Sequence, residues 1–162
     1  MMTAETDKGL NLEVQYASEV SDVPEEDALH AWAHAALGEP GGPVELVIRI
    51  VDEPESRALN ARYRGKDRPT NVLSFPFEAP PGVEMNHLGD LVICAAVVTR
   101  EAAEQHKPLD NHWAHMVVHG VLHLRGFDHL DDKQASDMEA LEKQILERFG
   151  IPDPYLVTDT AV

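Results

Sequence analysis

The sequence predicts one domain in which strands and helices share a single core, and three observations carry that prediction. The chain has 162 residues, 43% of them hydrophobic, which is enough to bury a sizeable core and too few to require a second one. Four short apolar runs have strand character, and five longer segments carry an apolar face at helical spacing. No repeat or low-complexity segment interrupts that order. Residues 1–162 are therefore read as a single domain, with a core over about 10–150 and loose tails at 1–9 and 153–162.

Leu12 to Ser18 reads as the first strand, somewhat irregular in its alternation. Pro24, Glu25, Glu26 and Asp27 suit a first helical turn, because proline is tolerated there and acids favour the positive end of the helix dipole. Ala28, Leu29, Trp32 and Ala36 supply that helix with an apolar face up to Gly38. Val44 to Val51 is the clearest strand, since β-branched residues dominate it. A second helix is expected from Glu53 to Tyr63, stopping at Gly65, and Arg64 to Asn71 form a loop before a strand over Val72 to Phe75. Pro80, Pro81 and Gly82 break the chain ahead of a buried strand over Leu88 to Ala96. Helices over Val98 to Gln105, Asp110 to Arg125 and Asp131 to Phe149 complete the order, the last ended by Gly150 and Pro152. Apolar residues surround most of the Asp110 to Arg125 helix, which places it at the centre of the domain.

That central helix carries the chemistry. His119 and His123 are four residues apart, so they sit about 40° from each other on one face and one turn apart. Gly126 can take a positive φ and end the helix, which lets the chain turn and bring His129 back towards them. The spacing H-x-x-x-H-x-x-G-x-x-H suits one zinc ion with three neutral ligands and an open fourth position, the arrangement of a catalytic zinc site. The competing reading is a helix with two partly buried histidines and an unrelated third, and the glycine and third histidine weigh against it. Cys94 is the sole cysteine, so no thiolate cluster competes for a metal, and its apolar surroundings suit a small core side chain in a reducing compartment. The metzincin protease signature shares these ligand positions but has Glu after the first His, where this chain has Gly120. Asp128 is the nearest carboxylate in sequence, and holding a ligand imidazole is a better reading for it than catalysis. His112 and His115 share the face of His119. Capping, packing or exposure is preferred for them over ligation.

A formal net charge of -16 argues against an extended nucleic-acid interface. The basic residues are nevertheless clustered: Arg57, Arg62, Arg64, Lys66 and Arg68 fall in one stretch whose sole acid is Asp67. Screening over roughly 8 to 10 Å lets such a patch, with a divalent ion, attract phosphate that the remote surface repels. No apolar run reaches membrane-spanning length and the first residues lack the pattern of a signal peptide, so a cytoplasmic protein is expected.

The histidine run, the segment Leu59 to Phe75 and Leu88-Gly89-Asp90-Leu91 together resemble the bacterial YbeY family. The likeness covers roughly residues 44 to 149 in consistent order and includes Met138 to Glu142. It implies a compact α+β domain, zincin-like, with a mixed sheet of about four strands and a central metal-bearing helix. It also implies a zinc-dependent, single-strand-specific endoribonuclease acting on the 3′ end of small-subunit ribosomal RNA and in ribosome quality control. Single-stranded RNA, ribosomal RNA above all, and small-subunit assembly proteins would be its partners. By the same resemblance His119, His123 and His129 match the metal ligands, and Arg64 matches an arginine associated with RNA cleavage. Phe127 stands where tyrosine is common, which removes only a hydroxyl.

On this reading zinc engages a water or a phosphate oxygen, and the Arg64 fork pairs with phosphate as negative charge grows. Attack by water and attack by the RNA 2′-hydroxyl both remain open. Two rivals stand beside it: a non-enzymatic ribosome-assembly factor whose metal supports the fold, and a metallopeptidase, which Gly120 weakens.

Overall fold

A computed structural model describes residues 9–38, 43–78, 80–82, 87–128 and 130–155. In chain order the elements are β1 (Leu10–Ala17), α1 (Glu26–Leu37), β2 (Val44–Val51), α2 (Glu53–Arg64), β3 (Val72–Pro76), β4 (His87–Cys94), α3 (Ala95–Glu104), α4 (Leu109–Leu124) and α5 (Asp132–Glu147). The four strands form one mixed sheet in the order β1-β2-β4-β3. β1 and β2, and β2 and β4, run parallel, whereas β3 pairs antiparallel with β4 and forms the edge. The α+β class and the mixed four-stranded sheet are as expected.

Strand alternation divides the apolar residues between two faces. Leu46, Ile48 and Ile50 of β2 and Leu91 and Ile93 of β4 face the larger core, where α1 and α4 pack on the sheet and α5 packs on those helices. Val51, Val92 and Cys94 point to the other face, with Leu73, Val97 and Leu59. α4 is buried nearly all round, from His112 to Leu124, so it is central as its composition predicts. Each fully buried Leu or Ile of this core contributes about 1.5–3 kcal/mol relative to exposure, which is why α4 is held without a side-chain N-cap.

The first strand starts two residues earlier than expected, at Leu10, and the last helix ends two earlier, at Glu147; the larger difference is one of element type. The run Leu88 to Ala96 splits at Cys94, and α3 begins at once with Ala95. Ala95, Val97 and Val98 are as buried as the strand before them, so an unbroken apolar run hides a strand-to-helix switch that periodicity cannot resolve. At residues 153–155 the Pro154 carbonyl accepts from Lys107 Nζ at 2.7 Å, and the Tyr155 hydroxyl reaches α5.

Gly120 explains how closely α4 meets the sheet. A Cβ there would lie 2.7 Å from Leu91 Cδ2 and 3.3 Å from Val72 Cγ2. Position 120 therefore faces the sheet rather than the open side of the helix, and a glutamate in the metzincin position has no room.

Candidate functional site

α4 ends in a Schellman turn that sets the histidine face. The Phe127 N–H donates to the Leu122 carbonyl and the Gly126 N–H to that of His123, both at 3.0 Å, with Gly126 at φ +100°. The chain then turns back along Phe127 and Asp128, as the glycine predicts. His129 itself lies outside the described residues.

His119 and His123 point their Nε2 atoms at each other, 3.1 Å apart. On its other nitrogen, Nδ1, His119 bonds Glu142 Oε2 of α5 at 2.5 Å. Glu142 is completely buried and also accepts from His115 Nε2 at 3.1 Å and from the Tyr155 hydroxyl at 2.5 Å. Burial pushes the Glu142 carboxyl up, but the hydrogen bonds and charge of His115 and His119 outweigh it and hold the group at about 2. An ionised carboxylate only accepts, so both histidines donate to it. His119 Nδ1 then carries the proton, and in the neutral ring Nε2 is left as a lone-pair donor facing His123. Burial pushes the His115 imidazole down, ahead of the opposing pull of Glu142. The Tyr155 phenol is pushed up, by burial first and by Glu142 second.

These groups have the donor chemistry of a metal site. His115, His119 and Glu142 bring ligand-type atoms within 4.8 Å of one another, a group that could hold an ion. The better placed nitrogens are those of His119 and His123, because Glu142 already consumes His115 Nε2 and His119 Nδ1 in hydrogen bonds. Two nitrogens each about 2.0–2.1 Å from one tetrahedral ion lie about 3.3 Å apart, close to the observed spacing. A carboxylate on the far nitrogen of a ligand histidine is the usual way its ring and tautomer are fixed.

The pair opens into a cavity of about 820 Å³ that also takes in Tyr63, Arg64, residues 70–76 of the loop and β3, Phe127 and Asp128. The cavity therefore wraps the free edge of the sheet, with α4 on one side and the end of α2 on the other. Arg64 is the last residue of α2 and is exposed. Among the described residues its guanidinium makes no ion pair or hydrogen bond.

The loop after Arg64 is clamped. Gly65 takes the left-handed conformation at φ +71°, and Lys66 N–H returns to the Asn60 carbonyl at 3.3 Å. Ser56 Oγ donates to the Thr70 carbonyl and accepts from Thr70 N–H, while Asn60 Nδ2 donates to the Arg68 carbonyl at 2.8 Å. Arg57 grips Asp67 with two bonds of 2.7 and 3.0 Å. Beyond the loop, Asn71 Nδ2 donates to Glu101, which also bonds His112 Nε2 at 2.9 Å. The basic stretch thus divides: Arg57 is a structural clip with Asp67, and Arg62, Arg64, Lys66 and Arg68 remain as exposed charge.

The sequence reading gave Glu142 no role, although a signal was present. It stands four residues after Met138 and three before Ile145, so the last helix carries an acid inside its apolar face. Ser56 and Asn60, both buried on an otherwise polar helix, were equally silent.

Fold and site together define an α+β protein with a metal-capable histidine cluster at the edge of its sheet. The chain belongs to the YbeY endoribonuclease family, whose description is Endoribonuclease YbeY and whose pattern matches residues 13–150. It is also similar to the solution structure of TM1509 from Thermotoga maritima, with 26% identity, a TM-score of 0.55, and coverage of 91% of this chain and 99% of that one. No helix among the described residues is long and apolar enough to cross a membrane.

Proposed function

We propose that this protein is a zinc-dependent endoribonuclease that cuts single-stranded RNA in the cytoplasm, acting on the 3′ end of small-subunit ribosomal RNA and in ribosome quality control beside small-subunit assembly proteins. The carrying observation is the His119–His123 pair, with Nε2 atoms 3.1 Å apart, in one cavity with Arg64. Family membership supports the reaction class. His119 and His123 would hold the ion, with His129 as third ligand by its spacing. Zinc bound there would supply Lewis-acid stabilisation of phosphate charge and activation of water.

The remaining roles belong to the chain. Glu142 turns the His119 ring by accepting its Nδ1 proton, which leaves Nε2 to face the ion. The planar fork of Arg64 can make two hydrogen bonds to a phosphate as charge grows on it. The bonds from Ser56 and Asn60 fix the backbone of the loop that follows that arginine, and its own side chain is ordered only when phosphate binds. Gly120 leaves no carboxylate at the position a metzincin uses for its base, which disfavours a peptidase.

The test is cleavage of an end-labelled single-stranded RNA by wild type beside folded His123→Ala and Arg64→Ala proteins. Cutting by wild type with loss in both variants supports the reading. Equal cutting by all three preparations marks a contaminating nuclease and overturns it, as does no cutting by any. A 2′,3′-cyclic phosphate on the product identifies internal attack, and a 5′-phosphate with a free 3′-hydroxyl identifies hydrolysis.

A further inference from the structure

The residue before Arg64 is Tyr63, and nothing in the proposed cleavage chemistry uses it. Its exposure is 56%, high for an aromatic side chain, and it lines the same cavity as His119 and His123. Phe75 of β3 meets the ring edge to face, with centroids 5.1 Å apart and planes at 71°. The Arg62 guanidinium lies over the ring, 5.3 Å from its centroid. An exposed tyrosine taken alone is ordinary. This one is fixed from the side by Phe75, flanked by Arg62, Arg64, Lys66 and Arg68, and set at the mouth of a cleft that holds a histidine pair.

We infer that Tyr63 is a stacking platform for one nucleobase of the RNA strand, adjacent to the phosphate that Arg64 grips. The inference rests on the ribonuclease reading and deepens it by naming what recognises the strand. Every base has a π face, so an aromatic ring beside cationic groups binds unpaired bases with little regard to sequence. A base within a duplex is stacked on its neighbours and cannot lie on the ring, so the platform selects for single strands. The small basic patch then has a division of labour: Arg64 takes phosphate, and Arg62 adds cation–π attraction to the ring and its guest. This also reconciles RNA binding with a net charge of -16, because a few stacked bases need fewer phosphate contacts than an extended groove.

The test is a coupling cycle between protein and RNA. Short single-stranded RNAs with one abasic nucleotide, moved position by position past the cut site, are assayed for kcat/KM with wild type, Tyr63→Phe and Tyr63→Leu. At one position next to the cut, loss of the base should lower wild-type kcat/KM by roughly 5- to 150-fold, the range that base–aromatic stacking supports. The same RNA should cost Tyr63→Phe a similar factor and Tyr63→Leu almost nothing, since leucine fills the space beside Phe75 without a π face. If the abasic penalty is the same in Tyr63→Leu as in wild type, the platform is refuted while ribonuclease activity stands. If wild type neither cuts nor binds RNA, both readings fall together. A measurement on the unaltered protein covers the case in which Tyr63→Leu does not fold: 2-aminopurine at that position should lose fluorescence on binding, and unchanged fluorescence at every position overturns the inference.

Discussion

Removing the Glu142 carboxylate should damage stability and metal affinity together. In Glu142→Ala three donors lose their acceptor: His119 Nδ1, His115 Nε2 and the Tyr155 hydroxyl. Each costs about 1–3 kcal/mol if it stays dry. Tyr155 is 42% exposed and can turn to water, so the full penalty falls on His115 and, in part, on His119. The two unsatisfied donors and the cavity left by a fully buried side chain together cost about 3–5 kcal/mol. At about 2–4 °C per kcal/mol for a chain of this size, the metal-free variant should melt roughly 6–20 °C below wild type. Loss of a carboxylate behind a ligand histidine also weakens zinc by about 10- to 100-fold, read by competition with a coloured chelator. Glu142→Gln keeps the volume and one acceptor oxygen, so it should recover part of both losses. If Glu142→Ala melts within about a degree of wild type and holds zinc equally well, Glu142 neither supports the core nor orients His119, and this account of the site is wrong.

Two further outcomes follow from the packing and the charges. Gly120→Ala gains about 0.8–1.0 kcal/mol of helix propensity but drives a methyl to 2.7 Å from Leu91, where overpacking costs about 1–3 kcal/mol; denaturant midpoints should show net destabilisation, and a stabilised variant would show that Leu91 can move aside. Burial raises the Glu101 carboxyl, yet bonds from His112 and Asn71 bring it below its ordinary 4.5, so its stabilisation is complete above that value and lost as pH falls through the lowered one. Glu101→Gln should therefore lose about 1.5–3 kcal/mol near neutrality and lie closer to wild type under acid, and parallel stability curves would contradict this.

Much of this architecture was legible because local chemistry and fold agree. The β-branched run Val44 to Val51 is a strand to the residue, and Gly126 ends α4 where its positive φ was needed. The join at Cys94 was not legible, since burial makes strand and helix equally apolar there. At the site, helical spacing placed His119 and His123 on one face, but it could not show that their nitrogens converge or which nitrogen carries the proton. That information comes from Glu142, which is 23 residues away from His119 in sequence. The clamps from Ser56, Asn60 and Arg57 were hidden for the same reason: a polar residue facing a loop looks like one facing water until the loop is folded over it.

The most direct test of the whole account is zinc titration into chelator-stripped protein, with cleavage of labelled single-stranded RNA and retention of fold followed together. The account predicts a folded, inactive stripped protein whose cleavage rate rises linearly and breaks at one ion per chain, with no rise in His123→Ala. Cleavage that is undiminished in the stripped protein, or that rises equally in His123→Ala, would contradict it.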